Sequence, residues 1–220
     1  MLNEGENLYL RQMSLGLYVP TAITVVGVGG VGSWVALNFA LIGVRDIYLV
    51  DPDVVEQHNL NRTPFKLTHI GMYKVDALKN LITERREDID VEAYPVRFED
   101  LPGDAKSYIS MSHVIDCRDS LSPISPEPVA KLGYDGMNIT LHLNPDYSSI
   151  FGDGDIRYSV TPSFLVPPQL LANLVTLYMV SPHFRSHFDI RKEEVIRLDV
   201  NQLLRFLMEV QKEGKEGENE

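Results

Sequence analysis

Residues 21–53 read TAITVVGVGGVGSWVALNFALIGVRDIYLVDPD. Residues 21–26 are a continuous run of β-branched and apolar side chains, the pattern of a parallel strand buried on both faces. The run empties into Gly27-Val28-Gly29-Gly30-Val31-Gly32, and residues 33–42 then read as a helix that stops near Gly43. Residues 46–50 form a second buried run, closing at Asp51-Pro52-Asp53. Strand, glycine turn, helix and strand make a βαβ unit of ordinary size. It predicts the α/β class, with a Rossmann-like, mostly parallel sheet and helices on both faces.

Gly27, Gly29 and Gly32 satisfy G-x-G-x-x-G between a predicted strand and a predicted helix. Side chains are absent where the backbone must turn sharply and approach a phosphate, and the helix N-terminus behind them offers unpaired N–H groups. Gly30 belongs to the same loop. Asp51, closing the second strand, is placed to accept hydrogen bonds from a ribose. The competing reading is that the glycines serve only close packing of helix on sheet.

Outward from this unit, residues 71–86 carry Val75, Leu78 and Ile82 at helical spacing, with charge on the other face. Residues 91–96 and 112–116 read as the third and fourth strands, the latter opening into Cys117-Arg118-Asp119-Ser120. Three prolines in 121–128 predict a loop. Residues 138–143 alternate as a strand, 146–162 form a glycine- and aspartate-rich loop, and 167–179 form a proline-led helix. A late strand at 194–198 and a terminal helix at 201–210 complete the reading, with a short helix in the lead-in at 3–18. A single domain over 1–210 is expected. Its nucleotide-binding half runs from about 19 to 120 and its reduced substrate half from about 121 to 210. The acidic tail 211–220 reads as solvated and disordered.

With 220 residues and 44% hydrophobic content, the chain can bury a substantial core. Its net charge of −11 repels nucleic acid at long range, so no nucleic-acid partner is expected. The lone Cys117 excludes an intramolecular disulfide and a thiolate-rich zinc site. No apolar run reaches the length of a membrane span and the N-terminus is not signal-like, so a cytoplasmic protein without membrane contact is expected.

A dinucleotide dehydrogenase would explain the glycines and Asp51, but hydride transfer needs no cluster of cations near the phosphates. Here Asn59, Arg62 and Lys74 follow the second strand, and Asp116 and Asp119 end the fourth. Carboxyl ends of parallel strands meet in one crevice at the switch point. Cations with an acid suited to hydrated Mg²⁺ are what charge build-up on a triphosphate requires. Each residue also has a bland reading: Arg62 as a surface arginine, Lys74 as a solvated helix lysine, Asp116 as a loop cap or partner of Arg118, and Asp119 as a helix N-cap.

The ordered set D-x-D-x-V-E-x-x-N-L-x-R over 51–62, G-x-x-K over 71–74 and D-C-x-D over 116–119 resembles the adenylating domain of the E1-like (ThiF, MoeB, HesA) superfamily. The resemblance runs from about residue 10 to 80, recurs at 114–120 and continues through 162–179. It implies the ThiF/E1 adenylation-domain fold and an ATP-dependent adenylyltransferase. Such an enzyme uses MgATP to activate a C-terminal carboxylate, usually that of a ubiquitin-like protein, and releases pyrophosphate. By position, Gly27, Gly29, Gly30 and Gly32 would line the nucleotide, and Asp51 would hold the ribose with Asp53 beside it. Asn59, Arg62 and Lys74 would contact phosphates, Asp119 would bind magnesium, and Asp116 would be the preceding strand-end acid. The lead-in YLRQ resembles the family's R-Y-x-R-Q segment, whose arginine reaches the ATP of the opposite subunit, so Arg11 implies a homodimer. Charge growing on the transferring centre would then be stabilised by Arg11, Arg62, Lys74 and Mg²⁺.

This sequence departs from the family at Thr63, where glutamine is usual, and at Ser120, where asparagine is common. It lacks the two C-x-x-C zinc pairs and a cysteine placed for a thioester, so no thioester on this chain is expected and Cys117 reads as packing. The reduced substrate half puts the gripping of a ubiquitin-like protein or peptide on residues 121–158, with a partner protein as an alternative. Rival readings are an E1-like enzyme acting on a small or tRNA-linked carboxylate, a non-catalytic nucleotide-binding subunit, and the dehydrogenase.

Overall fold

The structure is a computed structural model and describes residues 8–148 and 163–203. Its sheet has seven strands in the order β3-β2-β1-β4-β5-β6-β7. They are β1 (Ala22–Val26), β2 (Asp46–Val50), β3 (Asp90–Tyr94), β4 (His113–Asp116), β5 (Ala130–Asp135), β6 (Asn138–Leu143) and β7 (Glu194–Asp199). Strands β1 to β5 pair in parallel, while β6 is antiparallel to both its neighbours. The order reverses at β1, between β2 and β4, and that reversal leaves a crevice at the carboxyl ends of the strands.

The helices are α1 (Leu10–Met13), α2 (Gly32–Ile42), α3 (Lys74–Thr83), α4 (Gly103–Ile109), α5 (Val166–Val180) and α6 (Pro182–Arg185). Strand alternation assigns the two faces. Ile23, Val25, Ile47, Leu49 and Ile115 pack in one cluster with Val35 and Phe39 of α2, Leu78 and Ile82 of α3, and Leu171 and Val175 of α5. Val26, Val50 and Val114 point the other way, against Ala105 and Ile109 of α4, Phe98 and Leu101. α2 has an almost wholly apolar sequence because it lies between the sheet and α5. Among the described residues no helix is long and apolar enough to cross a membrane.

The predicted βαβ unit matches the observed elements to within a residue. The helix expected over 71–86 is confined to Lys74–Thr83: Tyr73 is spent on a bridge to Val54, and Glu84 caps the end. Three elements carried no expectation, β5, α4 and α6. The loop expected over 146–162, the terminal helix at 201–210 and the tail lie wholly or largely outside the described residues; helix begins at Val200.

Candidate functional site

A cavity of about 440 Å³ opens at the carboxyl ends of β1, β2 and β4. Gly27, Gly29, Gly30, Asp51, Asp53, Asn59, Arg62, Lys74 and Asp119 all line it. One cavity thus gathers residues from the glycine turn, the end of β2, the 57–74 connection and the end of β4.

The glycine turn is built for close approach. Gly27 has φ +87°, and a Cβ there would press on the backbone of Cys117 and Arg118 at 2.9 Å. Asp51 organises the turn from the β2 side. Its Oδ2 accepts from the Val28 N–H at 2.6 Å and its Oδ1 from the Asp53 N–H at 2.8 Å. Burial pushes the Asp51 carboxyl above its ordinary pKa, and Lys74 with the two backbone donors offsets part of that rise.

The cations are positioned by local chain geometry. The carbonyl of Asp53 accepts the Lys74 backbone N–H at 2.9 Å, fixing the start of α3 beside the end of β2. The Lys74 ammonium then pairs with the Asp53 carboxylate at 2.7 Å. Arg62 is folded back: its guanidinium donates to the His58 carbonyl at 2.6 Å and to Asn61 Oδ1 at 3.0 Å. Its buried Nε has no partner among the described residues, a donor left over on a cavity wall. Asn59 is buried, and its Oδ1 accepts the Glu56 N–H at 2.9 Å.

Two expected nucleotide contacts are absent from the cavity wall. Gly32 is buried behind the turn, where a Cβ would overlap the Gly27 carbonyl oxygen, so its glycine serves packing of α2 on β1. Asp116 is fully buried, because strand alternation turns it onto the α4 face below the cavity. Of its two sequence readings, the structure realises the one in which it holds Arg118, at 3.0 Å. Arg11 is exposed on α1 and lines no part of its own chain's cavity.

Sequence reasoning missed Arg97, Glu99, Arg118 and Tyr134, which also line the cavity. Arg118 lay inside the quoted strand end and was readable there. Glu99 reaches Arg118 across the crevice at 3.2 Å. Tyr134 crosses above Gly30, and its hydroxyl hydrogen-bonds Ser163 Oγ at 2.8 Å. Cys117 sits in the cavity wall with its thiol pKa pushed well up, by burial first and by neighbouring Asp116 second. It is a poor nucleophile there.

No cluster of three or more His, Cys, Asp or Glu able to hold a metal occurs among the described residues. Asp119 is exposed at the cavity rim. Mg²⁺ is commonly held by one or two carboxylates together with substrate phosphates, so this donor set fits Mg²⁺ and not a protein-only zinc cage.

A parallel sheet with a glycine turn, a strand-end acid and cavity-lining cations at its switch point defines a nucleotide-binding α/β domain. Residues 20–124 match the ThiF family, and that segment is a ThiF-family domain of the E1-like adenylating superfamily. Among curated relatives, the tRNA threonylcarbamoyladenosine dehydratase of Escherichia coli (strain K12) is 35% identical over 117 residues, covering 51% of this chain and 42% of the relative. The adenylyltransferase and sulfurtransferase UBA4 of Saccharomyces cerevisiae (strain YJM789) is 35% identical over 101 residues, covering 46% of this chain and 23% of UBA4. The chain therefore spans less than half the length of these two relatives. Of solved structures, PaaA superposes with a TM-score of 0.62 at 20% identity, over 91% of this chain and 75% of PaaA. E. coli MccB superposes at 0.56 and 16% identity, over 82% of this chain and 64% of MccB. At such identities the two structures speak for the fold alone.

Proposed function

We propose that this chain is an ATP-dependent adenylyltransferase that activates the C-terminal carboxylate of a ubiquitin-like protein or peptide as an acyl-adenylate, without forming a thioester on itself. The observation that carries the reading is that Arg62, Lys74 and Asp119 share one cavity with the glycine turn and Asp51. A hydride-transfer site needs no such set. The relatives named UBA4 and Ubiquitin-like modifier-activating enzyme 5 support the substrate class.

In this reading Asp51 accepts from the ribose and the backbone of Gly29 and Gly30 faces the phosphates. Asp119 would hold Mg²⁺ beside the phosphates, and the ion would supply charge neutralisation there. The substrate carboxylate attacks the α-phosphorus, and the bond to the bridging oxygen breaks as pyrophosphate leaves. Negative charge grows on the leaving oxygens, where Lys74 and the free Nε edge of Arg62 stabilise it. The substrate supplies the nucleophile, so no side chain of this chain has to, and the raised pKa of Cys117 accords with that.

A second reading, action on a tRNA-linked carboxylate, draws on the relative named for tRNA threonylcarbamoyladenosine. The net charge of −11 weighs against it. ATP–pyrophosphate exchange with Mg²⁺ tests both, across ubiquitin-like proteins, peptides with a free C-terminal carboxylate, and tRNA. Exchange that depends on a protein or peptide supports the proposal. Exchange that depends only on tRNA would replace it.

A further inference from the structure

The last rung of the β4–β5 ladder pairs Asp116 with Lys131. Beyond it the two parallel strands part: β4 becomes the cavity rim at 117–120, and β5 runs on to Tyr134 beside β6. A fork of this kind removes the ladder partners of the departing backbone, and the freed groups need other partners. Here side chains supply them.

Lys131 Nζ donates to the Arg118 carbonyl at 2.8 Å and to Asp116 Oδ2 at 3.2 Å. Asp116 Oδ1 accepts both the backbone N–H and Nε of Arg118 at 3.0 Å. Arg118 is thus held at its N–H by one member of the pair and at its C=O by the other. The Arg118 carbonyl belongs to the peptide bond that carries Asp119. Oδ2 also accepts the Tyr147 hydroxyl at 2.6 Å, so the segment following β6 is tied to the same carboxylate.

Burying an ammonium and a carboxylate is expensive, and an apolar pair of similar volume would pack this site as well. Asp116 is 0% and Lys131 5% exposed, and neither lines the cavity. We propose that Asp116 and Lys131 are a buried positioning pair that fixes the Arg118–Asp119 peptide and so sets the Asp119 carboxylate for the metal. The inference rests on the reading of Asp119 as the magnesium ligand. Tyr147 makes that setting depend on the seating of the segment that follows β6.

The test is calorimetric titration of the full chain with a non-hydrolysable ATP analogue, first in EDTA and then across a Mg²⁺ series. Lys131→Met is expected to leave the metal-free affinity unchanged and to raise the Mg²⁺ needed for half-maximal tightening about tenfold, as removal of an outer partner of a metal ligand does. Tyr147→Phe is expected to shift it in the same direction by less, and it carries the test if the lysine variant fails to fold by circular dichroism. A wild-type Mg²⁺ dependence in the folded variants overturns the pair, as does a parallel fall of both affinities, which marks a merely structural role. Asp119→Asn separates the two levels. If it shifts the Mg²⁺ dependence and Lys131→Met does not, only the positioning pair fails. If it shifts nothing, the metal-ligand reading fails and takes the pair with it.

Discussion

Gly32 opens α2 so close to the Gly27 carbonyl oxygen that a Cβ at position 32 would overlap it. At Gly29, in the same turn, a Cβ would meet no heavy atom within 4 Å and would point into open space at the cavity. The two glycines therefore answer to different demands. Gly32→Ala forces a backbone shift and is expected to cost about 1–3 kcal/mol or more of stability, as overpacking does. Gly29→Ala should keep the wild-type urea midpoint while weakening nucleotide binding, because it blocks approach without straining the fold. The reverse ranking of urea midpoints would contradict this division.

Lys74 offers a similar separation between stability and chemistry. Its side chain is 12% exposed, but its partner Asp53 is 63% exposed, so the pair contributes only about 0–1 kcal/mol to folding. The same ammonium facing a growing phosphate charge is worth far more. Lys74→Ala should lower pyrophosphate exchange by about 100-fold or more, the scale of losing one transition-state donor. Urea denaturation should move little. A variant whose exchange is intact would remove Lys74 from the chemistry.

What the sequence made legible follows from how locally each feature is specified. The stretches giving β1, α2 and β2 are nearly continuous apolar runs punctuated by glycines, so their residue-level reading matched the structure. β5 escaped because AKLGYD shows no alternation and holds a buried lysine and Gly133, both poor strand signals. α4 is only seven residues long. The strand-end rule gathered Asp51, Asn59, Arg62, Lys74 and Asp119 correctly into one crevice. It misjudged Asp116 because a strand end fixes position but not face. Lys131, Tyr134 and Tyr147 reach the site only through the β4–β5–β6 topology, which no local pattern encodes.

Cys117 is expected to be dispensable. Burial and the adjacent Asp116 hold its thiol protonated, and a thiol in that state neither alkylates readily nor forms a thioester. Cys117→Ser should retain pyrophosphate exchange, and iodoacetamide at pH 8 should label the wild type slowly when native and quickly in urea. Fast labelling of the native protein would overturn this assignment.

His69 links stability to pH. It is buried against Phe65, and burial first and Lys66 second depress its pKa below the ordinary 6.5. The unfolded chain then binds the proton more readily than the native one, so stability falls as pH drops below about 6.5 toward the native value. Above that window the contribution is fully present. Denaturation midpoints at pH 7.5, 6.5 and 5.5 should decline on acidification, and His69→Gln should show a shallower decline. An equal slope in both proteins would assign the acid sensitivity elsewhere.

The last prediction concerns Arg11. α1 is pinned to the core around it: the Gln12 amide donates to the Ile42 carbonyl at 2.7 Å, and Arg86 donates to the Tyr9 hydroxyl and lies over its ring at 4.9 Å. Tyr9 also abuts Gly43 at the end of α2. A side chain carried on so fixed a segment, exposed and outside its own cavity, has to act on another copy if it acts on ATP at all. Arg11→Ala and Lys74→Ala should each be inactive alone. Mixed and allowed to exchange subunits, they should regain exchange activity, because the hybrid dimer holds one site with an intact Lys74 and an intact partner Arg11. A purely monomeric wild type in sedimentation, or inactive mixtures in which hybrids demonstrably form, would exclude action in trans.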